Sequence, residues 1–177
     1  MMDMIGIVMW LNKYIKSIKE RDPAMKSSLQ ILLFNNSVKV MFWYRIAHFL
    51  YIRKFKYLAF YIMNKVKKRT GVEIHPACSI GKNLLIDHGV GVVIGETSVI
   101  GNDCTIYQGV TLGGTGKERG KRHPTIGDNV MIGAGAKILG NIYIGNFVKV
   151  GANAVVLENI GSLNTVVGCK GKVVERL

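Results

Sequence analysis

An α+β architecture, with helices leading into a parallel β-helix of hexapeptide repeats, is what three features of this sequence predict. The first is a beat of six. Ile126, Ile132, Ile138, Ile144, Val150 and Val156 are each aliphatic and six residues apart. Ile94, Ile100, Ile106 and Leu112 keep the same spacing upstream, as do Ile74, Ile80 and Ile86 before them. A period of six fits neither the 3.6 of a helix nor the 2.0 of a simple strand. It is the signature of a parallel β-helix, in which each unit supplies one short strand and one corner and three units close a triangular coil. The second feature is the glycine that follows the inward residue at Ile80, Ile94, Ile100, Leu112, Ile126, Ile132, Ile144 and Val150. Such glycines are expected to sit at tight corners, where a side chain is strained at positive φ. The third is that residues 1–70 lack the beat and space their apolar residues as helices do.

Taken in order, Ile7, Trp10, Leu11, Tyr14, Ile15 and Ile18 form one amphipathic stripe. Asp22-Pro23 reads as an N-cap with proline at the first helical position, opening a second helix through about Phe34. Asn35-Asn36-Ser37 is a break. Val38, Met41, Phe42, Ile46, Phe49 and Leu50 form a third stripe, and Phe55, Leu58, Ala59, Ile62, Met63 and Val66 a fourth. Lys67-Lys68-Arg69 ends it with cations where a helix dipole favours them. This divides the chain into a helical domain, 1–70, and a β-helical domain, 71–177.

The beat breaks twice. Ile94 comes eight positions after Ile86, and the gap holds Asp87-His88-Gly89. Ile126 comes fourteen positions after Leu112, and that gap holds Gly113 to Pro124. A solenoid tolerates insertions as loops ejected from its wall, and loops of this kind often carry function.

Composition narrows the classes. The 177 residues are 49% hydrophobic, enough for a buried core and too much for a disordered chain. Arg45 interrupts the best apolar run, so no membrane span is expected. The start lacks the features of a secretory signal. Three cysteines, none in a CxxC pair, favour free thiols in a reducing cytoplasm over a disulfide framework or a metal knuckle. The net charge of +13 is concentrated in residues 1–70, which hold 14 Lys/Arg against 3 Asp/Glu. With the basic residues scattered and no nucleic-acid motif beside them, this reads as a solvated helix surface.

Gly71-Val-Glu-Ile-His-Pro, Ile86-Asp-His-Gly, Val93-Ile-Gly-Glu-Thr, Gly109-Val-Thr-Leu-Gly-Gly-Thr-Gly-Lys, Arg122-His-Pro-Thr-Ile and Met131-Ile-Gly-Ala-Gly-Ala together resemble the bacterial serine O-acetyltransferases. Arg21-Asp-Pro-Ala and Tyr44-Arg-Ile-Ala-His extend the resemblance into the helical part. It implies a left-handed coil and direct transfer of acetyl from acetyl-coenzyme A to the hydroxyl of L-serine, for cysteine biosynthesis, with no metal. A serine hydroxyl is a poor nucleophile at neutral pH, so a base must take its proton, and histidine suits that task. The resemblance puts the base on His88 and its orienting carboxylate on Glu73, where many relatives have Asp. It gives Asp22, Asp87, Arg122 and His123 to serine, carboxylates for its ammonium and cations for its carboxylate. Gly114, Thr115, Lys117, Ala134 and Ala152 match the coenzyme A groove, with Lys117, Arg119, Lys121 and Arg122 adding charge near the phosphates. It also implies a homotrimer or a dimer of trimers.

His48, in a helical stripe, reads as structural, His75 as a corner residue, and Glu96 as a corner or subunit contact. A related O-acetyltransferase acting on a sugar hydroxyl shares the base and the coenzyme A groove; the serine set separates the two. A zinc hydratase on this fold needs three histidine ligands, and His75, His88 and His123 lack its paired spacing. Many serine acetyltransferases dock on O-acetylserine sulfhydrylase through a C-terminal peptide ending in isoleucine. Here Val166-Val167 is read as the last inward pair, Val173-Val174 as packing on the final coil, and the end is Glu175-Arg176-Leu177. No stable complex with the sulfhydrylase is therefore expected.

Overall fold

The computed structural model of the chain describes residues 4–116, 119–171 and 173. Lys117 and the terminal stretch 174–177, both part of the expectations above, lie outside the described residues. Four helices come first: α1 (Met4–Arg21), α2 (Ser28–Phe34), α3 (Asn36–Ile52) and α4 (Lys56–Thr70). Two boundaries differ from the sequence expectation. Asp22-Pro23 ends α1 rather than opening a helix, because the Asp22 carboxylate accepts from the Ala24 N–H at 3.0 Å and folds 22–27 into a turn. Ser27 is the real cap, its hydroxyl accepting from the Gln30 N–H at 3.1 Å. The break before α3 is Asn35 alone, which caps α3 by accepting from the Ser37 N–H at 2.9 Å. The end of α4 is as expected, with Lys67, Lys68 and Arg69 in its last turn and Gly71 in the left-handed region at φ +71°.

Short strands follow: β1 (Glu73–Ile74), β2 (Ser79–Ile80), β3 (Leu85–Ile86), β4 (Val93–Ile94), β5 (Val99–Ile100), β6 (Thr105–Ile106), β7 (Thr111–Gly113), β8 (Thr125–Ile126), β9 (Met131–Ile132), β10 (Lys137–Leu139), β11 (Tyr143–Ile144), β12 (Lys149–Val150), β13 (Val155–Val156) and β14 (Thr165–Val166). They pair in parallel into three sheets, β1-β4-β7-β10-β13, β2-β5-β8-β11 and β3-β6-β9-β12-β14. Up to β13 each sheet takes every third strand, so the sheets are three faces of a triangular prism, here the first, second and third face. The register stacks the predicted inward residues, Ile74 on Ile94, Ile94 on Leu112, Leu112 on Ile138 and Ile138 on Val156. All five are at most 3% exposed.

The glycines after those residues are needed for a reason other than the one expected. They are not at positive φ. A Cβ on Gly81 would lie 2.5 Å from the Gly101 carbonyl oxygen, one on Gly101 2.6 Å from Gly127, and one on Gly127 2.4 Å from Asn146. Coils stack at strand spacing, ~4.8 Å, and at these glycines the next coil leaves no room for a side chain. The left-handed corners fall elsewhere, at Asn83, Asp103, Asn129, Phe147 and Leu163 along one edge of the prism.

The helices cover the end of the prism that β1, β2 and β3 begin. Edge strands leave backbone groups unpaired, and here helix side chains satisfy them. Tyr44 donates to the Cys78 carbonyl at 2.6 Å, Arg45 to Ile80 at 2.8 Å and Arg21 to Asn83 at 2.5 Å. Tyr14 donates to Leu84 at 2.5 Å, and the Ser37 hydroxyl accepts from the Ile86 N–H at 2.9 Å. His48 joins them through Nδ1, 2.9 Å from the Pro76 carbonyl, so its role is structural. The buried apolar residues run without interruption from Tyr14 to Val156. At the far end Val167 is exposed and Val173 is 93% exposed, so neither packs on the last coil as expected. Among the described residues no helix is long and apolar enough to cross a membrane.

Candidate functional site

Both breaks in the beat lie on edges of the first face, and they lie on different edges. After β3 the chain turns from the third face to the first through Asp87-His88-Gly89. The corner is tight: His88 has φ +58° and Gly89 φ +77°. Histidine is among the side chains that tolerate this left-handed region. The same edge continues along the prism, with Gly109 N–H donating to Val90 O at 2.9 Å, Gly135 N–H to Gln108 O at 2.8 Å and Asn153 N–H to Ala134 O at 2.8 Å. The predicted groove residues Ala134 and Ala152 therefore share an edge with His88.

Around His88 the chain forms a cleft of about 290 Å³ lined by Asp22, Met25, Asn35, Asp87 and His88 among others. The imidazole is largely exposed, and its Nε2 stands 3.9 Å from the Asp87 carboxylate, outside hydrogen-bonding range. Two carboxylates and an accessible imidazole at one cleft can hold an ammonium beside a hydroxyl and take the hydroxyl proton.

The second break opens where the first face turns to the second. A cleft of about 390 Å³ lies there against α4, lined by Lys67, Glu73, His75, Glu96, Arg122, His123 and others. Arg122 Nη2 donates to the Glu96 carboxylate at 2.5 Å. That bond holds the Glu96 carboxyl below its ordinary range. His123 is 8% exposed, and its Nδ1 accepts from the Thr97 N–H at 3.2 Å. Burial, then the Arg122 charge, pushes its pKa down. His75, packed edge-on against Phe60 with 5.2 Å between ring centroids, is likewise pushed down by burial. Gly114 and Thr115 start the loop on this edge, and Thr115 folds back so that a Cβ on Gly140 would lie 3.5 Å from its methyl.

The structure thus brings Asp22, Asp87 and His88 together, and separately Glu73, Arg122 and His123. Arg122 carries the charge of its pair; His123, expected as a second cation, is disposed to stay neutral. The Glu73 carboxylate meets Lys67 at 2.6 Å and makes no bond to His88. The residues next to each do approach one another: a Cβ on Gly89 would lie 2.9 Å from Val72 Cγ2. Sequence reasoning left Glu96 as a corner and passed over Thr97 and Asn35. For Glu96 and Thr97 the sequence signal is that Gly-Glu-Thr, itself part of the resemblance, stands at the corner one coil before Arg-His-Pro; Asn35 has none. Among the described residues no three His, Cys, Asp or Glu side chains gather as a metal site.

The bacterial transferase hexapeptide family (six repeats) matches residues 123–158. A serine acetyltransferase of Staphylococcus aureus is 55% identical over 163 residues, 92% of this chain and 76% of that protein. The crystal structure of Neisseria gonorrhoeae serine acetyltransferase in complex with serine superposes with a TM-score of 0.88 at 44% identity, covering 96% of this chain and 69% of the other. Isoform 3 from Entamoeba histolytica, in complex with cysteine, gives 0.89 at 44% identity, over 95% of this chain and 60% of the other.

Proposed function

The chain belongs to the serine acetyltransferases, and from that premise we propose how its own residues transfer acetyl from acetyl-coenzyme A to the hydroxyl of L-serine. The coil is read as left-handed, as in hexapeptide acyltransferases. Residues 71–177 carry the chemistry, and residues 1–70 contribute Asp22 and the cap on the prism.

In this reading Asp22 and Asp87 receive the ammonium of serine and Arg122 its carboxylate, with His123 as a neutral donor beside it. The His88 imidazole takes the hydroxyl proton as that oxygen attacks the thioester carbonyl. The tetrahedral intermediate collapses by breaking its carbon–sulfur bond, and the imidazolium returns the proton to the leaving thiolate. Glu73 is read as the carboxylate that orients His88. Its bond to Lys67 is half exposed on both sides, and such pairs are worth under ~1 kcal/mol, so the carboxylate is free to exchange partners. Pantetheine is read as lying along the His88 edge over Ala134 and Ala152, with Gly114 and Thr115 on the Arg122 edge of the next copy facing it.

One observation carries the reading: the base and the carboxylate-binding pair lie on two different edges of the same prism. A single chain holds both halves of a serine site without joining them. In a trimer of prisms the His88 edge of one copy faces the Arg122 edge of the next, and the site is whole. The sugar-acceptor alternative has no use for paired carboxylates at the His88 cleft.

The test is complementation. His88→Ala and Arg122→Ala chains are each impaired alone, but in mixed trimers one interface type pairs an intact His88 edge with an intact Arg122 edge. Random mixing restores about a quarter of the sites, read as thiol release with L-serine. No recovery on mixing, or an active monomer by light scattering, would remove the shared site.

A further inference from the structure

The Gly95-Glu96-Thr97 corner does more than turn the chain. Resting on the reading that Arg122 and His123 receive the acceptor's carboxylate, we propose that Glu96 and Thr97 are positioning residues that fix both groups for serine recognition.

Thr97 is the anchor of a loop that would otherwise be loose. Its hydroxyl accepts from the Arg122 N–H at 3.0 Å and from the His123 N–H at 3.1 Å. With both lone pairs occupied, the hydroxyl proton is left for His123 Nδ1, 2.8 Å away. The Thr97 N–H aims at the same nitrogen. Nδ1 is therefore an acceptor, and the ring proton resides on Nε2, which becomes a donor of fixed direction. The Thr97 carbonyl in turn accepts from Lys121 Nζ at 2.7 Å, so one residue holds three consecutive residues of the loop's return strand.

Glu96 does the same for the guanidinium. It takes Nη2 of Arg122, while Nη1 reaches the Gly120 carbonyl at 3.3 Å. A guanidinium has five N–H donors in a rigid fork, so Glu96 fixes its plane and leaves donors over for a ligand. Gly95 completes the arrangement: a Cβ there would lie 2.1 Å from His123 Cδ2. The Cδ2–Nε2 edge of the imidazole lies against that glycine, and no other residue leaves it room.

A merely structural corner and a positioning pair differ in what they change. Loss of a structural contact lowers stability, or lowers kcat and raises the Michaelis constants of both substrates together. Loss of positioning raises the Michaelis constant for serine while leaving acetyl-coenzyme A alone. In the full chain, Glu96→Gln should raise the serine KM about three- to tenfold with kcat and the acetyl-coenzyme A KM within about twofold. Thr97→Val should do so about tenfold, and Thr97→Ser, which keeps the hydroxyl, should restore it. If Glu96 acts through Arg122, the Glu96→Gln/Arg122→Ala double variant is no worse than Arg122→Ala alone.

A serine KM unchanged in Glu96→Gln, while Arg122→Ala raises it, overturns the proposal and leaves the underlying reading intact. An unchanged serine KM in Arg122→Ala sinks the reading itself. Should Thr97→Val fail to melt cooperatively, the Glu96 cycle decides alone, since a partly exposed ion pair contributes little to folding.

Discussion

The His88 edge and the Arg122 edge bound the same face of the prism, yet the chain fixes them by different means. His88 sits on a short corner held from behind by the helices. Ser37, 1% exposed, binds the Ile86 N–H and stands 2.7 Å from the Tyr14 hydroxyl, so the strand that delivers Asp87 and His88 is fastened to α1 and α3. The imidazole itself is left open. Arg122 and His123 return from a long insertion and are fastened from below, by the Gly-Glu-Thr corner of the preceding coil. Here the functional groups themselves are bonded. The contrast fits the proposed roles: a base must be free to gain and lose a proton, whereas carboxylate receptors gain from being fixed before the ligand arrives.

The strongest way to break this contrast is to remove the base. His88→Ala should lower turnover by roughly 10²–10⁴, the usual worth of a general base, while acetyl-coenzyme A still binds. Turnover near wild type would mean that another group takes the proton. Glu73→Gln should cost less than His88→Ala, because a carboxylate that orients an imidazole does not itself accept the proton.

Arg122→Ala probes the other edge with a smaller effect of a different kind. Removing a charge-assisted bond of ~1.5–3 kcal/mol should raise the serine KM about tenfold or more. A weakened acetyl-coenzyme A KM with unchanged serine kinetics would move Arg122 to the cofactor side.

The two edges also differ in how legible they were. Inward residues such as Ile138 and Val150 announce themselves by period, because a stacked coil accepts only aliphatic volume at that point. The Asp-His-Gly corner was legible as a break in the period. The Gly-Glu-Thr platform was not, because it keeps the beat and its bonds span 25 or 26 residues across the insertion. Asp22-Pro23 misled for a local reason: an Asp that bonds two residues ahead makes a turn as readily as a helix cap. The corner glycines misled because close approach of the next coil and positive φ both demand Gly, and only coordinates separate them. That Glu73 meets Lys67 followed from α4 packing beside β1, a contact no motif records.

The attachment of the His88 edge to the helices should register as stability. Ser37→Ala leaves the buried Ile86 N–H without an acceptor, at about 1–3 kcal/mol. For a chain of this size each kcal/mol lowers Tm by ~2–4 °C. Thermal denaturation would show it, and an unchanged Tm would mean that water replaces the hydroxyl or that the strand is held by its neighbours alone.

The smallest expected effect is a pH dependence of stability seated on the Arg122 edge. His75 and His123 are both held below their ordinary 6.5, chiefly by burial. As pH falls through that value the unfolded chain takes up protons that the folded chain declines. More protons bound to the unfolded state means that stability falls with falling pH, from about 6.5 down to the folded values. Glu96, lowered by its bond to Arg122, adds a loss of the same sign below its ordinary 4.5. Melting temperature measured from about pH 7.5 to about pH 5 should therefore decline, and His75→Gln or His123→Gln should each flatten part of the decline. The Glu96 share lies lower in pH and should vanish in Glu96→Gln. A wild-type curve flat across this range would show that solvent reaches both rings freely, and the Arg122 edge would then be no more preformed than the His88 edge it is contrasted with.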